Sequence, residues 1–522
     1  MESLRVVKLK LHTSRYTMKK ILIGLCALGI AGYNVSATAG SGKMHKHQKH
    51  LNRTLRPIIR QLGLTGDPLR YRDVPDINSP EAQLGMELFF SKSLGGDRDS
   101  ACVTCHHPLL GGGDRLALPI GTESDVPDLL GPGRTNNEGF TLPPVPRNAP
   151  TTFNTIAWDQ FQFHDGRLES LNPQQGANGA AGGIRTPNSP LGEADPLAGG
   201  NLIQAQARFP ITSREEMKGF NHNPYSDQDI REFLAARLGG YDGPEVFGDN
   251  GEALVDEDPL NDPSYWLAKF QDIFGGDVNQ PETMITEQRV SMLIGEYERS
   301  QAFANTPWKS YVEGNNWAIS ANAKRGAILF FTSSEQGGAN CSSCHSGDFF
   351  TDESFHNLAM PQVGSGKGNG ADGSKDFGRA RETDLDGDKF AFRTPALVNV
   401  EVTGPWSHAG SYTTLEDVIK HHSNAANAIE NFDDTQLVAE GVSNLDKMQE
   451  NTLEALNFSS FELETLNLSD MQVGFLVEFL KTLTDPCVTD SACLAQWMPV
   501  TGEGDTNGDQ LDAVIIDSSF PQ

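Results

Sequence analysis

The chain has 522 residues, 37% of them hydrophobic, which allows two to four domains with buried cores and excludes a polytopic membrane protein. Its 41 Lys+Arg against 69 Asp+Glu give a net charge of −28, a field that repels phosphate backbones, so nucleic acid is excluded as a partner. Basic proteins and neutral small molecules are favoured instead, and the 53 glycines and 29 prolines predict long irregular loops.

From the N-terminus, Lys19 and Lys20 precede the apolar run Ile21–Ile30 and the small-residue sequence Ala37-Thr38-Ala39. That order reads as a secretory signal over residues 1–39, with Met18 as an alternative start, and predicts a periplasmic or otherwise exported protein. The run is too short for a membrane span. Cys26 follows Leu25, where lipoprotein processing needs a small residue. Residues 40–75 are expected to form a flexible arm, with His45, His47 and His50 solvated rather than metal-bound.

Next, the apolar spacing of Ala82–Phe90 predicts a helix that leads into Cys102-Val-Thr-Cys105-His106. Ala323–Phe331 does the same for Cys341-Ser-Ser-Cys344-His345. Both are C-x-x-C-H motifs, which attach haem c: two thiols add to the vinyl groups of one porphyrin and the adjacent His ligates its iron. Two covalently bound haems c are therefore predicted. The motifs lie too far apart for one cytochrome domain and suit two, divided near Thr306-Pro307 after the amphipathic stretch Thr286–Phe303. Leu415–His422 and Ser469–Leu483 read as further helices. Pro108–Pro150, Pro173–Gly200 and Gly364–Asp388 read as loops, and the insertions 172–201 and 239–262 suggest no function. Cys487 and Cys493 lack a following His and predict a disulfide that pins an acidic tail, 485–522. Within it, Gly504–Leu511 reads as a disordered end or as part of a calcium loop.

Several segments together resemble the bacterial dihaem cytochrome c peroxidase family, which includes MauG, an oxidant of protein tryptophans. They are Leu84-Gly-Met-Glu-Leu-Phe-Phe90, Pro146-Arg-Asn-Ala-Pro-Thr-Thr-Phe-Asn154, Phe163-His-Asp-Gly-Arg167, Phe355-His-Asn357, Phe392-Arg-Thr-Pro-Ala-Leu397 and Thr403-Gly-Pro-Trp-Ser-His408. The resemblance covers about residues 80–484. It implies a mainly α fold of two cytochrome c-like domains with long irregular loops, each carrying one haem. Residues 76–306 would form the peroxidatic domain and 307–484 the electron-transfer domain. It further implies hydrogen peroxide as substrate, a small cytochrome c or cupredoxin as electron donor, a calcium ion between the haems, and a possible homodimer.

Carried over residue by residue, the resemblance makes Glu216 the acid/base beside the first haem, with Glu215 as the alternate. Calcium would be held by Asn148, Thr403 and Pro405. In the family, the second ligand of the C-terminal haem is a Met or Tyr fourteen residues after the His of a P-x-x-H-x-G segment. Here that position is His422, with His421 as the register alternative. A His345/His422 pair would close the second iron. From Pro108 to Phe163 no residue is a His, so the first haem should keep an open face. His164 replaces the family's Trp between the haems and is an acid/base or ligand candidate, while Trp158 or Trp406 would take over any electron relay. An exported dihaem peroxidase is the leading reading. A MauG-like oxidant of a protein or organic substrate is the first alternative, and a non-catalytic electron carrier the second.

Overall fold

Leu51, Leu55 and Ile59 recur every four residues and bury one stripe of the first helix, α1 (Thr38–Gln61). The expected flexible arm at 40–75 is therefore corrected: Leu55 and Ile59 pack with Trp308, Tyr311 and Phe479, and Arg56 donates to the Tyr311 carbonyl at 2.6 Å. An i, i+4 apolar repeat outweighs a polar, His/Lys-rich composition, because burial of that stripe offsets the ordering cost. The computed structural model describes residues 38–136, 145–248, 251–254, 256, 259–458, 464–502 and 504–511, with side chains from residue 48 onward. The contacts that build the site lie within the unit from Gln48 onward, and the signal expected over 1–39 falls outside the described side chains.

Two helix pairs organise the molecule. Ser79 caps α2 (Pro80–Phe89) by accepting from the Ala82 amide, and α2 packs on α3 (Glu287–Ser300). Ser320 caps α4 (Ala321–Phe331) by accepting from the Ala323 amide, and α4 packs on α5 (Asp470–Leu480). Each pair crosses at a glycine. A Cβ on Gly85 would lie 1.9 Å from the Leu293 carbonyl oxygen, and one on Gly326 would lie 1.8 Å from that of Phe475. The pairs anchor separate cores, one around Phe89, Leu293 and Tyr297 and the other around Phe330, Phe350 and Phe479. The doubled organisation is thus visible as one packing device used twice.

Strands are short and antiparallel. Phe161–Gln162, Leu168–Ser170 and Ile184–Arg185 form one sheet, and Phe355–His356 pairs with Phe392–Arg393 in another. Their role is local: they set Phe163, His164, His356 and Arg393 at the cavity walls. Arg147 ties the halves together, donating to Asp165 at 2.6 Å and to both oxygens of Asp376 at 2.6 and 2.9 Å.

The tail is pinned as expected, by a Cys487–Cys493 disulfide, but 504–511 is not a disordered end. Leu511 joins the first core, the buried Asp509 pairs with Arg98 at 2.7 Å, and Ser93 reaches both Asp505 and Asp509. No helix among the described residues is long and apolar enough to cross a membrane.

Candidate haem-binding active site

Beyond α2 the chain turns through Cys102–Cys105, and beyond α4 through Cys341–Ser343, so each motif opens on a cavity beside its helix pair. The four motif cysteines are free thiols, unlike the tail pair. His106 Nδ1 faces the Gly112 carbonyl at 3.2 Å, and His345 Nδ1 faces that of Phe350 at 3.0 Å. Donation from Nδ1 to a carbonyl fixes the tautomer and leaves each Nε2 lone pair available to a metal.

The second cavity, about 250 Å³, is lined by Cys344, His345 and His422 together with Trp158, Arg393 and Trp406. His422 is carried on α6 (Leu415–Ser423), and its Nδ1 bonds the Val418 carbonyl at 2.8 Å, which leaves Nε2 for the cavity. His421 spends both nitrogens elsewhere, on the Tyr412 hydroxyl at 2.7 Å and the Leu358 carbonyl at 2.8 Å. Of the adjacent pair, then, His422 shares the cavity with His345.

The first cavity, about 90 Å³, is lined by Cys102, Cys105, His106, Arg167, Glu216, Met217 and Lys367. Glu216 and Glu215 part company on one turn of π-helix, Arg214–Lys218. Glu215 pairs with Arg214 at 2.8 Å, whereas Glu216 lines the cavity. Burial raises the Glu216 pKa, against the pull of Arg167 and Lys367.

The cavities share a wall that includes Asn148, Phe163, His164, Gln206 and Glu298. His164 Nε2 bonds the Asn148 carbonyl at 3.0 Å, and burial, reinforced by Arg147, lowers its pKa to about 4, so the ring is neutral near pH 7. The three calcium candidates, Asn148, Thr403 and Pro405, line the second cavity together.

Sequence reasoning missed four lining residues. Gln206 presents a buried Oε1 with no partner among the described residues. Glu298 is buried with its pKa pushed up to about 8 by desolvation. It stands one turn after Ile294 on the apolar stripe of α3, and an acid at that spacing was a legible signal. Arg393 lies 3.4 Å over the Trp158 ring and leaves Nη1 buried and unpaired, while Lys367 comes from a glycine-rich loop. For the last two no local pattern gave notice.

These features meet the requirements of haem c: free thiol pairs, imidazoles of fixed tautomer, and, in the second cavity, a guanidinium whose buried, unpaired Nη1 suits a propionate. Comparison with known proteins agrees. Residues 79–317 match the family model described as di-haem cytochrome c peroxidase. Over that stretch the chain is similar to this family. It is 27% identical over 361 residues to the methylamine utilization protein MauG of Methylorubrum extorquens, covering 68% of this chain and 73% of that protein. It is also 24% identical over 349 residues to cytochrome c551 peroxidase of Pseudomonas aeruginosa, covering 67% and 73%. Among solved structures, the diheme peroxidase BthA from Burkholderia thailandensis aligns with a TM-score of 0.52 at 19% identity, covering 82% of this chain and 91% of that one. A MauG-like protein associated with microbial copper homeostasis aligns with 0.51 at 18%, covering 82% and 97%. The fold is that of these diheme proteins.

Proposed function

We propose that this protein is an exported dihaem c-type peroxidase that reduces hydrogen peroxide to water with electrons from a small redox protein. Each half would hold one haem, the first attached through Cys102 and Cys105 with His106 as ligand, the second through Cys341 and Cys344 between His345 and His422. The haems would supply the ligand-exchangeable, redox-active iron that a polypeptide lacks. The observation that carries the reading is that Glu216 and His106 line one cavity.

Within that cavity the side chains have separable tasks. The Glu216 carboxylate would take a proton from one peroxide oxygen and return it to the other; with two electrons from the donor and two further protons, cleavage of the O–O bond then gives two waters. Gln206 orients peroxide through its unpartnered Oε1. His164, neutral and tied to Asn148, spaces the two cavities rather than titrating. A cation over an indole disfavours its oxidation, so Arg393 argues against relay through Trp158 and leaves Trp406 as the aromatic beside the second site. Asn148, Thr403 and Pro405 supply hard oxygens for calcium on the shared wall and beside it.

The ferric spectrum of the purified protein tests this: one high-spin and one low-spin haem are expected, with steady peroxide turnover on a reduced cytochrome or cupredoxin. Two low-spin, ligand-inert haems would leave only the electron carrier. Peroxide oxidation of the protein without turnover of any small donor would favour the MauG-like oxidant.

A further inference from the structure

Among the described residues three cations line the first cavity, and the fold commits two of them. Arg147 is satisfied by Asp165 and Asp376, and the Arg167 guanidinium lies 3.7 Å over the Phe163 ring and 3.4 Å from Asp165. The Lys367 ammonium has no hydrogen-bond or ion-pair partner among the described residues, yet the side chain lines the cavity with Glu216. Its backbone is pinned on both sides. The Lys367 amide donates to the Lys375 carbonyl at 3.0 Å, Asn369 bridges to Lys375, and Arg381 donates to the Lys367 carbonyl. The loop that holds it belongs to the second half of the chain, so the first site is completed by a residue remote in sequence.

A partly buried ammonium with no committed partner stabilises negative charge more than an exposed one does, because water screens it less. Burial, Arg147 and Arg167 all work against its charged form, while Glu216 and Asp376 support it. An added anion would relieve that imbalance. We infer that Lys367 makes the first cavity a site for small monoanions, the hydroperoxide anion among them. When Glu216 accepts the proton of hydrogen peroxide, the negative charge left on oxygen lies beside the Lys367 ammonium. No electron moves in this step, and the O–O bond stays intact. The inference rests on the proposed open face at the Cys102/Cys105 haem.

The test is ligand binding to the haem-loaded full chain. Ferric protein is titrated with azide and fluoride, and reduced protein with carbon monoxide, in the wild type, Lys367→Gln and Lys367→Arg. Lys367→Gln is expected to weaken both anions about tenfold and leave carbon monoxide within about twofold, with Lys367→Arg restoring most of the loss. Unchanged anion affinity overturns the inference. So does equal weakening of anions and carbon monoxide, or an altered resting spectrum, either of which would mark Lys367 as a propionate or packing residue. If the wild type binds neither anions nor carbon monoxide, the open-face reading itself fails and takes this inference with it.

Discussion

Glu216 and Glu215 occupy adjacent positions with different surroundings, and that difference carries the chemistry assigned to the first cavity. Glu216→Gln keeps the shape and hydrogen-bonding reach of the side chain but cannot accept a proton. Peroxide turnover is expected to fall by about 10²–10⁴-fold with the resting spectrum unchanged, whereas Glu215→Gln leaves turnover near wild type. Stopped-flow measurement with a reduced donor checks both. At the other cavity, His422→Ala removes the imidazole that shares the lining with His345, while His421 stays locked between Tyr412 and Leu358. The variant is expected to gain carbon monoxide binding at the second haem and to lose the low-spin ferric signal. A retained low-spin signal would refute His422 as the ligand.

At the scale of elements, the helices that precede the two motifs owe their position to close backbone approach. In α4 the Gly326 Cα lies so near the Phe475 carbonyl that a methyl group cannot enter without separating α4 from α5. Gly326→Ala is therefore expected to cost about 1–3 kcal/mol in urea unfolding of the haem-loaded protein, although alanine favours helix in isolation. A gain in stability would show that the two helices separate at little cost. The same helices were readable from the sequence, since their apolar spacing and flanking Ser, Thr and Pro residues sit where caps belong. Helix α1 was missed because its stripe lies in a segment whose polar composition suggested a tail. The turn that separates Glu216 from Glu215 was not legible either. Arg214–Lys218 form one turn of π-helix, and no local pattern marks which of its two adjacent acids meets the cavity.

At the scale of the whole molecule, the buried Arg147–Asp165–Asp376 cluster joins the halves. Burial works to raise the Asp376 pKa, but Arg147 overrides it and brings it down to about 2, below the roughly 3.9 of an unfolded aspartate. A depressed acid stabilises the fold above its unfolded value, and that contribution is lost as pH falls from about 4 through about 2. Asp165 is held lower still, by Arg147 and Arg167 acting against burial. Asp376→Asn is expected to lower stability at pH 7 by about 3 kcal/mol and to flatten its dependence between pH 4 and 2, as read by urea midpoints. A pH profile parallel to wild type would exclude Asp376 as the titrating group.

The sequence by itself determined the paired C-x-x-C-H motifs, the two helices that lead into them and the tail disulfide, because covalent chemistry and apolar periodicity act over a few neighbouring residues. Only the tertiary structure decided which of two adjacent glutamates and which of two adjacent histidines meets a cavity. It also brought Gln206 and Glu298 to the shared wall, Lys367 to the first cavity and Arg393 to the second, from distant segments. Side-chain direction and the convergence of remote loops depend on packing across the molecule, and no local pattern encodes that.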